Sequence, residues 1–485
     1  MKLPRMVKID PNAPKKKKIL LLSDDCRLKS GVGTVSYEII KNTCHKYDWV
    51  QIAGALKHPD HGKPAIDVSD EFRQSTGCDH ANVKLYPQDG YGDEETIRRI
   101  LKVENPDMIC HFTDPRFWGW LYAMENELRQ TTPLAYLNIW DDLPFPHWNE
   151  PFYDSCDLLM AISKQTYNIN KEVCKRTPRV EGKDLFYVQH GIDENKFFPV
   201  GDSNIEYEKI KEQMLKGKEY DFIAFYNSRN IRRKGTSDLI LAFKKFCKLL
   251  KPEEASKCLL FLHTDPVDPN GTDLPSVYEN LANETNVAFS SGKVDSNILN
   301  YMYNLADVTC NPSSAEGFGL SHMESLMAGT PTIATVLGGL QDQMGFKVNG
   351  EELSVSHLSS EIPSNSTGEL STEHGEWTLP LWPQLNLQGS PTTPYIYDSR
   401  PSISQITNQL KVWYDMGRDK RKAKGMKGRE WAIENNFTAK GMATAFESAV
   451  DTCFENFKPR ESVYFANITK EEEPTYTIGE ILWKN

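Results

Sequence analysis

The sequence predicts an α/β protein made of two successive units, each a parallel sheet with helices on both faces. Three observations carry this. Short apolar runs ending in polar residues alternate with amphipathic stretches, the pattern of strands joined by crossover helices. The alternation runs to about residue 190 and restarts at about residue 222. In both halves a glycine-bearing loop stands between a strand and a helix, where open α/β sheets receive ligands. A length of 485 residues fits two to three domains at roughly 100–200 residues each.

In order, residues 19–22 form a first buried strand, and Ser30-Gly-Val-Gly33 turns into a helix over 34–43. Strand-like runs follow at 49–53, 108–112, 134–139, 158–162 and 186–189, with a helix over 94–103 among the connections. In the second half, 222–226 reads as a strand. The helix over 236–250 places Leu239, Ile240, Phe243 and Phe246 on one face. Strands are expected at 258–263, 287–290, 308–311 and 332–334, with a helix near 301–305. Residues 345–398 are rich in Ser, Thr, Gly and Pro, with Trp377, Trp382 and Tyr395 interspersed. An unstructured loop of that length is unusual inside a domain, so inserted hairpins or a lid are expected. Helices return over 402–416 and 439–457, and a polar tail follows.

Composition excludes several classes. With 39% apolar and 25% charged residues the chain is a globular protein, and no apolar run approaches the ~18 residues of a membrane span. The first residues carry lysines without an apolar core, unlike a secretory signal. Ten cysteines without a Cys-x-x-Cys pair argue against a zinc site or disulfide framework and for a reducing, cytoplasmic setting. The net charge of −11 does not suit a general polyanion binder. Residues 1–60 nevertheless carry 12 Lys/Arg against 6 Asp/Glu, a local +6. That segment is either a basic face for phosphates or a solvated lysine tail.

The most chemically specific stretch is Glu316-Gly-Phe-Gly-Leu-Ser-His-Met-Glu324, continued by Ser-Leu-Met-Ala-Gly-Thr-Pro331. Two carboxylates flank a Gly-Phe-Gly loop that opens a predicted helix at about Ser321. Glycines let a ligand approach the backbone closely. A helix N-terminus offers free N–H groups and the positive end of its dipole. Phosphates in the middle and hydroxyls at both ends describe a nucleotide sugar. Upstream, Arg229 and Lys234 stand in a strand-to-helix loop, as two cations able to neutralise a diphosphate. Arg232 and Arg233, between them, are expected to face solvent. His111 ends a strand, as a core residue or a site residue. Trp140-Asp141-Asp142 ends another, where one aspartate can orient an acceptor hydroxyl and an ordinary turn aspartate is the alternative.

Together these residues resemble the retaining glycosyltransferase family 4 of the GT-B fold. The matching pieces span residues ~20 to ~345. They are Ser30-Gly-Val-Gly33, Pro106-Asp-Met-Ile-Cys-His111, Gln189-His-Gly-Ile-Asp193, Arg229 with Lys234-Gly235, the Glu316…Glu324 block, and Gly338-Gly339. The resemblance implies two Rossmann-like domains facing a central cleft. Residues 1–195 would form the acceptor domain and 196–455 the nucleotide-sugar domain, with an insert at about 345–398 and a tail over 456–485. It implies that Glu324 holds the ribose, that Glu316 contacts the donor sugar, and that the backbone of Phe318, Gly319 and Leu320 cradles sugar and phosphate. Arg229 and Lys234 would stabilise the leaving diphosphate, Val294 would lie near the base, and Gly31 and Gly33 would close the site. His111 would join the catalytic group, with Asp114, Asp141 and Asp142 as acceptor candidates. No metal is implied; the co-substrate is a nucleotide sugar, with UDP as its nucleotide.

Many members of that family carry His-x-His where this chain has His111-Phe-Thr113. Loss of the second His suits a donor without a 6-hydroxyl, a pentose such as arabinose, with glucose as the other candidate. Trp140-Asp-Asp142 and Thr393-Pro-Tyr-Ile-Tyr397 are similar to phage-encoded members that glycosylate hydroxymethylcytosine in DNA, which would place the protein in a host cytoplasm with DNA as acceptor. The rival acceptor is a cell-surface polysaccharide or lipid-linked saccharide. A non-catalytic nucleotide-sugar-binding protein and a nucleotide-sugar 2-epimerase are the readings from other classes. Oligomeric state is not legible.

Overall fold

A strand buried on both faces must be apolar along its length, and the central strands of both sheets carry such runs. The computed structural model describes residues 15–174, 177–201 and 203–460. Eight strands form the first sheet: β1 (Lys17–Asp24), β2 (Tyr47–Ala55), β3 (Ile66–Asp67), β4 (Val83–Asp89), β5 (Met108–Phe112), β6 (Leu134–Asn138), β7 (Leu158–Ala161) and β8 (Leu185–Tyr187). Their order is β3-β4-β2-β1-β5-β6-β7-β8, parallel except for β3 against β4. The first strand pairs with β2 on one side and β5 on the other, so the order reverses there and a crevice opens at the carboxyl ends.

The second sheet contains β9 (Phe222–Asn227), β10 (Cys258–His263), β11 (Val287–Ser290), β12 (Val308–Asn311) and β13 (Thr332–Thr335). A small hairpin of β14 (Lys347–Val348) and β15 (Glu351–Glu352) follows, and then β16 (Thr378–Leu381) returns to the sheet edge. The order is β11-β10-β9-β12-β13-β16, all parallel. Here the reversal lies between β9 and β12. The Arg229–Lys234 loop leaves one of these strands and the Glu316 loop leaves the other.

The insert holds two hairpins with a long loop over 353–377 between them. Its last part, β17 (Gln384–Ser390) and β18 (Thr393–Arg400), is an antiparallel pair that reaches across to the first unit. Tyr397 N donates to Leu143 O at 2.7 Å and Tyr395 Oη to Phe145 O at 3.1 Å. The Tyr395 ring meets Trp148 edge-on at 4.4 Å.

Three elements differ from the sequence expectation. The helix Gly31–Thr43 starts at the glycines instead of after them, because Ser30 caps it by accepting from Gly33 N at 3.0 Å. The helix Arg418–Glu434 has no apolar stripe and carries two glycines, which hides it from periodicity. Those glycines allow close packing: a Cβ on Gly425 would lie 2.1 Å from Gly329 O, and one on Gly428 2.7 Å from Trp377. The helix Ala439–Asn456, inside the range expected for the second unit, packs on the first. Tyr47 Oη donates to Asp451 at 2.8 Å, and Phe446 lies on Trp49 with centroids 5.9 Å apart.

The basic segment is neutralised by the fold. Lys16 pairs with Asp48, Lys17 with Asp107 and Lys18 with Glu104. Arg27 pairs with Asp25, Lys41 with Asp193 and Lys46 with Asp451. These cations join elements of the fold instead of forming a bare basic face; the lysines before residue 15 lie outside the described residues. No described helix is long and apolar enough to cross a membrane. All ten cysteines are free, and nine are buried.

The return of the chain to the first unit passes through Gly191, where an added Cβ would sit 2.0 Å from Thr438 O. Gly191→Ala is therefore expected to destabilise the protein by ~1–3 kcal/mol. Gly119→Ala, which meets no atom within 4 Å, should change stability by less than ~0.5 kcal/mol. Urea unfolding of both variants is the check, and equal midpoints would refute the packing account.

Candidate active site

Glycines decide where the site stands. In the Glu316–Gly319 loop, a Cβ on Gly338 would lie 2.0 Å from Glu316 O, and one on Gly339 2.5 Å from Phe318 Cα. The Gly338-Gly339 turn thus lies backbone to backbone against the loop. Gly319, at φ +90°, sits at the N-cap of the helix Leu320–Met327, a conformation that favours glycine. In that first turn His322 N donates to Gly319 O at 3.0 Å, while the N–H groups of Leu320 and Ser321 precede the first helical carbonyls that could accept them. Across the cleft, Gly31 faces Leu320: a Cβ there would be 3.5 Å from Leu320 Cδ1. Gly33 is required by its own loop, since a Cβ would be 2.5 Å from Leu28 O.

Lys234 is buried and its ammonium donates to Glu316 Oε2. Burial pushes the Lys234 amine down, while Lys234 and Arg233 overcome the burial of Glu316 and hold its carboxyl below the ordinary range. Ser313 Oγ lies 3.5 Å from the same carboxylate. Glu324 has no cation partner of this kind. Burial pushes its carboxyl up to about 7, and only the Tyr303 hydroxyl, donating at 2.7 Å, draws it down. Tyr303 in turn accepts from Asn227 at 2.8 Å. The two carboxylates of the block thus differ: one is ion-paired, the other is poised near neutrality.

Arg233 is exposed, as expected, and Arg229 is held by an ion pair. Arg233 opens into the cleft and donates to Ala315 O, and the charges of Glu316, Asp141 and Asp142 raise its pKa. Arg229 is 60% exposed and bound to Asp268 at 2.7 Å. The cation beside Glu316 that sequence reasoning set aside is therefore Arg233. A sequence signal existed, since it adjoins Lys234, but three cations in a row leave their directions undetermined. Tyr303 had no signal beyond its place in a helix.

In the first unit, Asp141 and Asp142 lie at the end of β6 beside this cluster. Burial raises Asp141 to about 6, and burial with the neighbouring Asp141 charge raises Asp142. Gly338 touches Asp141, at 3.5 Å for an added Cβ to the Asp141 Cβ. Gln165 links the units by donating to Asp141 O and accepting from Gly338 N at 3.2 Å. Asp342, raised by burial to about 6, accepts from Lys164 N at 2.7 Å and Tyr187 Oη at 3.1 Å.

His111 is not with these residues. It is fully buried, with Nδ1 2.7 Å from Tyr122 Oη, Nε2 2.9 Å from Thr113 Oγ1, and its ring stacked on Tyr136 at 4.9 Å. Both ring nitrogens are occupied, so His111 is a core histidine. Asp114 caps the turn Pro115–Trp118 and pairs with Arg116, an architectural role. Val294 is half-buried against the main core, and Asp295 beside it pairs with Lys29 of the first unit at 2.9 Å. Among the described residues no cluster of three His, Cys, Asp or Glu could hold a metal.

Comparison with known proteins places this geometry in a class. Solved structures share the two-unit architecture. Sucrose-phosphate synthase from Thermosynechococcus elongatus aligns with a TM-score of 0.61 at 16% identity, over 91% of this chain and 100% of that one. Anabaena HepE in complex with UDP and glucose aligns at 0.59 and 14% identity, over 90% and 100%. The fold is GT-B. Residues 206–353 match the family model of glycosyl transferases group 1. Mannosylfructose-phosphate synthase of Agrobacterium fabrum is 28% identical over 193 residues, 39% of each chain. An uncharacterized glycosyltransferase of Methanocaldococcus jannaschii is 28% identical over 205 residues, 41% of this chain and 47% of that one. The chain thus spans less than half the length of these two curated relatives.

A half-buried carboxyl titrating near 7 makes a stability prediction. The folded state keeps the Glu324 proton that the unfolded chain loses near 4.5, so stability falls as pH rises between those values. Glu324→Gln is expected to stabilise the ligand-free protein by ~1–3 kcal/mol at about pH 8 and by little at about pH 4. Thermal unfolding at both pH values tests this, and a pH-independent difference would refute it.

Proposed function

We propose that the protein is a retaining glycosyltransferase that moves a sugar from a UDP-sugar to a hydroxyl acceptor. One observation carries this: the Lys234–Glu316 pair and the separate Glu324 carboxylate stand on either side of the Gly319 helix start. A diphosphate at that start would meet N–H groups and compete with Glu316 for Lys234, while Glu324 accepts from ribose hydroxyls. Arg233 and Lys234 supply the positive charge that a metal supplies in other transferases. The bond from the anomeric carbon to the leaving phosphate breaks, and the acceptor oxygen bonds to that carbon on the same face. The acceptor proton passes to the phosphate oxygen. Glu316 is not assigned as a nucleophile, because its carboxylate is held by Lys234. UDP and glucose in the HepE complex support the donor class.

For the sugar, a pentose is favoured over a hexose. The reading rests on Thr113 standing where many members of the resembled family carry a second His; Thr113 itself is buried, with its hydroxyl taken by His111 and Trp118. Competition between UDP-arabinose and UDP-glucose decides it; faster turnover of the hexose removes the pentose. For the acceptor, hydroxymethylcytosine in DNA drew on the +6 segment, whose described lysines are largely ion-paired. Sugar phosphates enter through the names of the relatives, and neutral saccharides are the third class.

Lys234→Ala is expected to lower kcat by ~10²–10³-fold with UDP affinity changed only a few-fold. Glu324→Ala should weaken UDP-glucose binding by ~10-fold or more. In the wild type that binding should tighten as pH rises through about 7, where Glu324 ionises, and the dependence should flatten in Glu324→Gln. Isothermal titration and radiolabelled transfer are the measurements. UDP binding without transfer to any acceptor would identify a non-catalytic binder, and epimerised donor an epimerase.

A further inference from the structure

A cavity of about 340 Å³ abuts the Glu316 loop. One wall is Asp141, Asp142 and the following Leu143–Phe145 stretch of the first unit. A second wall is Ser314 and Ala315, the two residues before Glu316. The insert supplies the rest: Glu361 and Glu369 from the loop before β16, and Leu385 with Tyr397 from the β17–β18 hairpin. The insert thus builds about half of a chamber that abuts the loop carrying Glu316.

Its chemistry is selective. Four carboxylates line it, with serine and threonine hydroxyls, and no lysine, arginine or histidine does. Carboxylates accept hydrogen bonds and cannot donate them when ionised, so they suit hydroxyl groups of a bound molecule. Tyr397 and Phe145 offer apolar ring surface of the kind that packs on the C–H face of a sugar. An anion placed here would meet the like charge of Glu361 and Glu369, while burial draws Asp141 and Asp142 toward neutrality. Of the nearby cations, Arg116 is paired with Asp114 and Arg233 belongs to the proposed donor side.

We infer that this insert-built chamber is the acceptor site and that it takes an uncharged, polyhydroxylated molecule of mono- or disaccharide size, rejecting phosphorylated sugars and DNA. The inference rests on the donor site proposed above. Its specificity lies in the chain's own insert, and the carboxylates at 361 and 369 act as an electrostatic filter at the end away from the donor.

The test uses the full-length protein with radiolabelled UDP-arabinose and UDP-glucose. Acceptors are a panel of neutral mono- and disaccharides, the 6-phosphates of the same monosaccharides, and duplex DNA containing hydroxymethylcytosine. The expected result is transfer to neutral saccharides, with kcat/KM at least ~50-fold higher than for the matching phosphates, and no labelled DNA. Glu361→Lys with Glu369→Lys should shrink that discrimination by ~10-fold or more while UDP affinity stays within about twofold. Preferred transfer to a sugar phosphate or to DNA overturns the inference and leaves the donor site standing. Discrimination unchanged in the lysine variant overturns the filter. Failure of the wild type to bind UDP is a different outcome, for it removes the donor reading itself.

Discussion

The close contact between the Gly338-Gly339 turn and the Glu316–Phe318 loop governs the rest of the molecule. It leaves no room for side chains, at 2.0 Å and 2.5 Å for the two added Cβ atoms, so it holds the loop by backbone alone. From that fixed loop, Glu316 points at Lys234, the helix Leu320–Met327 begins at Gly319, and Asp141 is brought alongside. The crossing of the units is anchored at the same place, because Gln165 bonds both Asp141 O and Gly338 N. A rigid support of this type is what a site for a charged, multi-part ligand requires, since misplacement by about 1 Å is costly in catalysis.

The electrostatics follow from where each carboxylate sits on that support. Glu316 is half-buried beside two cations that hold its carboxyl below the ordinary range; Glu324 is half-buried beside a phenol and is drawn toward neutrality. Both are glutamates in one nine-residue string, and only the partners separate them. The same rule separates Asp114, fixed as a cap, from Asp141, left in the cleft with a raised pKa.

Much of the fold was legible because buried parallel strands write themselves as apolar runs, as at 108–112 and 258–263. The fourth strand was not, since Lys84, Pro87 and Gln88 interrupt it, and the helix Arg418–Glu434 was hidden by glycines that serve packing instead of breaking the helix. The grouping of Lys234 with Glu316 and Gly319 was legible because the residues come from two short strings that the fold brings together. The charge of Arg233 near Glu316 was not legible, since a short loop with Arg229, Arg232 and Arg233 leaves their directions undetermined. His111 was legible as a strand end, and its core role depends on Tyr122, Thr113 and Tyr136, residues that only the tertiary fold assembles. The chamber was least legible, because its walls come from three separated segments.

The β17–β18 hairpin leaves the second sheet and hydrogen-bonds the first unit at Leu143 and Phe145. Any rotation that widens the cleft must either break those bonds or carry the hairpin along. The chamber it walls therefore depends on that contact, and a molecule that fills it would favour the arrangement in which the hairpin is docked. By linkage, any second ligand that favours the same arrangement would tighten the chamber by the same factor. The hairpin is in this sense a thermodynamic tie, and binding at one end of the cleft is not independent of binding at the other.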